Sequence, residues 1–197
     1  MSTSNQHIQD LAFQLFRIHG IKSVTMDDIA REAGVSKKTI YQNYENKEDL
    51  IISALKEKFE ENKVIVDEIL NSDKNPVEKI ISLYDFTLKS IHSYSLAFFW
   101  GIKKYHPNAQ AMCTDYLRDL IFNKISKLLE EAQQQKVIRQ DIDVPLVSKI
   151  YFWGLQEFTD GAFADQMTKG FDTFFRHFIL NNVRGMLTDE YMGIVEV

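Results

Sequence analysis

Apolar residues recur every three or four positions along most of the chain, with turn-forming breaks between the runs. Ile8, Leu11, Ala12, Leu15 and Phe16 predict a first helix over 6–19, ended by Gly20. A connector from Ile21 to Val24 then delivers the chain to Thr25, and there the helical runs shorten. Ile29, Ala30 and Ala33 mark the apolar side of a second helix, which Gly34 stops. Ser36 caps a third, Lys37 to about Asn43, with Ile40 turned inward. From Asn46 to Asn71 there is no Gly or Pro, and Leu50, Ile51, Ala54, Leu55, Phe59, Val64, Ile65, Ile69 and Leu70 predict one helix. At about 25 residues it is ~37 Å long, longer than a three-helix head needs, so it runs on into a second body.

The break at Asn71 to Pro76 is followed by an amphipathic helix over Val77 to His92. Ser93 to Tyr105 is short and unusually aromatic, and Pro107 and Asn108 break it. A long helix is expected from about Ala109 to Gln135, then a loop over Lys136 to Pro145. Leu146 to about Phe163 is apolar over much of its circumference, and a last helix spans about Lys169 to Leu187. No run alternates with the period of a strand, and there is no internal repeat. The expectation is an all-α protein of about nine helices, with a head over 1–48 and a body over 49–197.

Composition narrows the class. The apolar fraction of 45% suffices for a packed core, yet no apolar run approaches the ~18 residues of a membrane span. The N-terminus shows neither the basic nor the apolar region of a signal peptide. A single cysteine, Cys113, excludes an internal disulfide and a Cys-rich zinc site. His92 and Cys113 lack partners at metal-ligand spacing, and no metal or cofactor is expected. Together these point to a cytoplasmic protein.

The net charge of −5 is unevenly divided. Residues 1–58 hold eight Lys/Arg against eight Asp/Glu; residues 59–197 hold fifteen against twenty. Between Ser36 and Lys47 the lysines 37, 38 and 47 face Glu45 alone. An acidic body with a basic tip is repelled from DNA in most orientations and attracted in one.

Helix, four-residue turn with Gly, short polar helix is the layout of a helix-turn-helix, whose second helix enters the major groove. An ordinary helical corner would not leave Lys37, Lys38, Thr39, Tyr41 and Gln42 outside together, all suited to phosphates or base edges. Thr25 to Leu50 resembles the DNA-binding signature of the tetracycline-repressor (TetR) family. The resemblance rests on Thr25, Ile29–Ala30, Ala33 to Ser36, Ile40–Tyr41, Tyr44, Lys47 and Leu50, while Asn43 stands where that family more often has His or Tyr. It implies a homodimeric, ligand-responsive regulator, usually a repressor, on double-stranded DNA. By the same resemblance Thr25, Tyr41, Tyr44 and Lys47 grip phosphates, Lys37, Lys38, Thr39 and Gln42 read base edges, and Ser36 caps the reading helix.

One reading helix spans too few base pairs to be selective, so two are expected about one DNA turn apart. The last two helices are the candidate dimer surface, through Ile150, Trp153, Gly154, Phe171, Phe174, Phe175 and Phe178. Phe86, Phe99, Trp100, Tyr116, Phe122, Trp153 and Phe158 are the candidate lining of an effector pocket for a small apolar or aromatic molecule. Lys103, Lys104 and His106 read as a solvated face. No phosphate loop, nucleophile elbow or HExxH helix suggests an enzyme. The rival is a helical lipid-binding or protein-interaction module that does not act on DNA.

Overall fold

The computed structural model describes residues 3–91, 93–159, 173 and 176–194. Among these described residues ten α-helical segments follow in order: α1 Thr3–His19, α2 Met26–Glu32, α3 Lys37–Tyr41, α4 Lys47–Leu70, α5 Pro76–Ile91, α6 Leu96–Tyr105, α7 Pro107–Asp119, α8 Ser126–Gln134, α9 Val144–Thr159 and α10 Asn181–Met186. Wider π-helical turns precede α8 (Leu120–Ile125) and α10 (Arg176–Leu180), and Asp189–Ile194 forms a 3₁₀ helix. The fold is all-α, as the periodicity predicts.

The chain forms two compact units, Met1–Val64 with Ser93–Thr114, and Ile65–His92 with Asp115–Val197. In the first, Ile8, Ala12 and Phe16 of α1 meet Ile29 and Ala30 of α2, Ile40 of α3 and Leu50, Ile51 and Leu55 of α4. Phe98, Ile102 and Ala109 join the same core, so α6 and the start of α7 belong with the head. Two glycines let α6 approach. A Cβ on Gly20 (φ +81°) would lie 2.5 Å from the Ala97 Cβ, and one on Gly101 would lie 2.9 Å from the Ile21 Cβ. Ser95 N–H donates to the Arg17 carbonyl at 2.7 Å and closes the contact.

In the second unit α5 and α9 pack on α8, around Ile80, Leu83, Leu128, Leu129 and Tyr151. α8 ends in a left-handed turn at Lys136 (φ +59°), with Val137 N–H on the Ala132 carbonyl at 2.8 Å. A bridge between Ile138 and Leu187 then pins the loop that the sequence leaves open.

Three expectations change. The break expected at Pro107 and Asn108 falls at His106, and Pro107 itself starts α7, where a missing N–H costs nothing. The single long helix expected to follow contains the π turn Leu120–Ile125. The expected dimer set also divides. Gly154 faces Phe178 of its own chain so closely that a Cβ there would lie 2.2 Å from the ring, and Tyr151 meets the same ring edge-on at 5.8 Å. Gly154 and Phe178 therefore pack internally, whereas Ile150 and Trp153 stay exposed. Phe171, Phe174 and Phe175 lie outside the described residues.

The aromatic residues expected around one cavity are likewise put to separate uses. Phe99 stacks with Tyr94 and Phe98, whose neighbour is Phe13 of α1, so it supports the head. Trp100 is exposed, with the Lys104 ammonium 5.0 Å from its ring centre. In the second unit Phe122 meets Phe152 at 5.4 Å, Phe86 and Tyr116 are half-buried, and Trp153 faces outward. The Phe158 side chain lies outside what is described.

Candidate nucleic-acid interface

The head is built from two capped helices and a glycine turn. Thr25 Oγ1 accepts the Asp28 N–H at 3.2 Å, while Asp28 Oδ2 accepts the Thr25 N–H at 3.0 Å and its hydroxyl at 2.7 Å. This is a reciprocal capping box with Asp in place of the longer Glu. The Thr25 side-chain and backbone donors, then the Arg31 guanidinium, hold the Asp28 carboxyl down to about 2.

α2 ends where Gly34 (φ +65°) turns left-handed and Val35 N–H returns to the Ala30 carbonyl at 3.0 Å. A Cβ at Gly34 would meet open space, so the dihedral angle alone asks for glycine there. Ser36 then caps α3, its Oγ accepting the Thr39 N–H at 3.1 Å and lying 2.8 Å from the Thr39 hydroxyl. Asn46 caps α4 through the Asp49 N–H at 3.0 Å.

The five-residue α3 buries only Ile40. Lys37, Lys38, Tyr41 and Gln42 are exposed, and Thr39 is partly so. Lys37 Nζ pairs with Asp27 Oδ2 of α2 at 2.8 Å. Seven of the nine predicted DNA-surface residues thus lie together on α3 or at the caps of α2 and α3.

The other two turn inward, a correction to the sequence reading. Tyr44 is only 4% exposed, and its ring joins the head core beside Leu50 and Phe16. Burial raises its pKa, against the Gln9 side chain beside its hydroxyl, which lowers it. Lys47 holds its ammonium 5.7 Å from the centre of the Phe16 ring and donates it to the carbonyl oxygens of Ile21 and Val24. It staples the α1–α2 connector to α4, and this burial lowers its pKa. Both residues are amphipathic, and their direction is set by the elbow between α3 and α4.

Sequence reasoning also passed over Asn5, which is bonded to Asn43 at the end of α3, and Gln9, which is buried beside Tyr44. A signal was present: Gln9 stands three positions from Ala12 and seven from Phe16, at core spacing on α1.

A capped helix-turn-helix whose reading helix shows its polar side chains to solvent defines a DNA-binding regulator of transcription. The profile of the bacterial regulatory proteins of the tetR family matches residues 8–54, the stretch from α1 into α4. Residues 8–54 carry the DNA-binding domain of the TetR family, and the chain is a DNA-binding, ligand-responsive transcriptional regulator.

The likeness extends past the head. The HTH-type transcriptional regulator YvaF of Bacillus subtilis is 28% identical over 149 residues, 75% of this chain and 77% of that protein. The fatty acid metabolism regulator protein of Bacillus subtilis is 26% identical over 153 residues, 76% of this chain and 78% of that one. A crystal structure of FadR from Bacillus subtilis in complex with stearoyl-CoA superposes with a TM-score of 0.62 at 26% identity, covering 81% of this chain and 88% of the other. No helix among the described residues is long and apolar enough to cross a membrane.

Proposed function

We propose that the chain acts in the cytoplasm as a homodimeric repressor, each protomer placing α3 in the major groove of one half of a palindromic operator. The observation that carries this is the design of α3: five residues, one buried anchor, a side-chain cap and a cluster of exposed donors. Such a helix contributes almost nothing to the core, and its outward set suits DNA. Tyr41, with Thr25 at the α2 cap, contacts phosphates; Lys37, Lys38, Thr39 and Gln42 approach base edges. Ser36 holds the helix end that presents them. Residues 1–48 carry recognition, and 49–197 carry effector binding and pairing.

The effector in this reading is apolar. Support comes from the Bacillus subtilis relative that holds stearoyl-CoA and from the half-buried aromatic residues of the second unit. Acyl thioesters are the class to test first. Residues of α4 belong to both units, so a ligand that favours one position of this helix alters the fit of two heads to adjacent grooves. It does so only through different affinities for the two states, and here it releases the operator.

Selection of bound duplexes from a random pool, followed by affinity measurements over a salt series, tests the proposal. The expected product is a palindrome with half-sites about one helical turn apart. Tyr41→Ala weakens binding to all duplexes alike, whereas Gln42→Ala costs ~1–3 kcal/mol of discrimination at one base pair. Failure to enrich any sequence, with no salt dependence of duplex binding, would leave the module that does not act on DNA.

A further inference from the structure

Gln9 and Tyr44 bring polar groups into the head core. Gln9 is 6% exposed, and its side chain lies beside the hydroxyl of the equally buried Tyr44. One turn earlier on the same face of α1, Asn5 Nδ2 donates to Asn43 Oδ1 at 3.0 Å, and Asn43 Nδ2 donates to the Thr39 carbonyl at 2.9 Å. Tyr44 N–H in turn donates to the Ile40 carbonyl at 3.0 Å. Two rungs, four residues apart on α1, therefore reach consecutive residues where α3 ends.

This arrangement is costly for folding. Gln9 Oε1 is buried and has no hydrogen-bond partner among the described residues. A leucine and a phenylalanine would fill the same volume without an orphaned acceptor, and such replacement of both partners is commonly neutral or stabilising. What an apolar pair would lose is direction. Ile40 alone anchors α3 by packing, and one apolar anchor does not fix rotation of a five-residue helix about itself. The Ser36 cap restrains its beginning; the two rungs restrain its end.

We infer that Asn5 and Gln9 are positioning residues which set the angle of the reading helix, and hence its sequence discrimination, without touching DNA. The inference rests on the DNA-binding reading above. A fixed angle decides which base edges the exposed donors reach. Phosphate contacts, being less directional, tolerate a looser helix.

The test uses the full-length protein, the duplex recovered by selection and a scrambled duplex of equal length. Gln9→Leu combined with Tyr44→Phe is expected to melt at or above the unaltered protein's temperature. Its ratio of affinities for selected over scrambled DNA falls about tenfold, since losing good base contacts costs this order of discrimination. Asn5→Ala, a change at a partly exposed position, lowers the ratio in the same direction with the melting temperature retained. A preserved ratio in both variants overturns the inference, as does a ratio that falls only in step with melting temperature. If the unaltered protein itself fails to discriminate, the DNA reading fails first, and this inference goes with it.

Discussion

Lys37 and Asp27 are joined at 2.8 Å between Nζ and Oδ2, tying the first residue of the reading helix to the helix before it. Their side chains are 51% and 63% exposed, so the pair is screened by water and contributes little to folding. Its effect falls on binding. The carboxylate holds the lysine away from bases and adds a negative charge where phosphates approach.

Asp27→Asn is therefore expected to tighten DNA binding. Affinity rises for both selected and scrambled duplexes as repulsion is relieved, and rises more for the selected one as Lys37 becomes free to reach a base edge. Fluorescence anisotropy at low salt, where charge effects are greatest, is the measurement. Unchanged affinities on both duplexes would remove Lys37 from the interface.

Lys47 gives a second prediction. Lys47→Met keeps an unbranched side chain of similar length but strips a donor from the Ile21 and Val24 carbonyls. Leaving buried acceptors unpaired costs ~1–3 kcal/mol each, so the head is expected to melt several degrees lower. Binding well below that temperature changes little. The opposite pattern, an unchanged melt with uniformly weaker binding to all duplexes, would return Lys47 to the phosphates.

What could be read from the sequence follows from the range of the forces involved. The Thr25 and Ser36 caps and the turn at Gly34 depend on residues within four positions, and the structure has all three. Tyr44 and Lys47 follow the same local rules whether they point in or out, because each joins an apolar body to a polar tip. Only contacts with Phe16, Ile21 and Val24, 23 to 31 residues away, decide it. The aromatic run at Phe98 and Phe99 was visible, but not that α1 would use it. Gly154 did signal a close approach; its partner proved to be Phe178 of the same chain.

A pH dependence follows from His106, the residue between α6 and α7. Its Nδ1 is buried without a partner among the described residues. Burial depresses its pKa below the ordinary 6.5, against Glu48, which raises it, and with Lys47, which lowers it further. Above 6.5 the ring is neutral in both folded and unfolded chains, and its contribution to stability is complete. As pH falls below 6.5 the unfolded chain takes the proton first, so stability declines until the folded value is passed. The melting temperature measured from pH 8 down to 5 is expected to fall over this window, and His106→Gln is expected to flatten that part of the profile.

The last prediction concerns pairing. α9 turns Tyr151 and Ser148 into its own unit, with the Tyr151 hydroxyl donating to Asn182 Oδ1 at 2.9 Å. Leu146, Ile150 and Trp153, spaced by four and three, are 52%, 41% and 66% exposed. An apolar stripe of this size on a helix already packed on another side is suited to a second copy. In a two-fold dimer each residue is buried twice. Full burial of an isoleucine side chain is worth ~1.5–3 kcal/mol, and Ile150 has 41% of its surface left to bury, so Ile150→Glu removes ~1–2.5 kcal/mol of association, or roughly 10–10² in the dimer constant. Sedimentation of Ile150→Glu is expected to show monomer at concentrations where the unaltered protein is dimeric. Its melting temperature, read where both proteins are monomeric, stays nearly constant because the side chain is exposed in the single chain. Operator affinity collapses with the dimer, since one α3 reads too little DNA alone. An Ile150→Glu protein that remains dimeric would place the interface elsewhere.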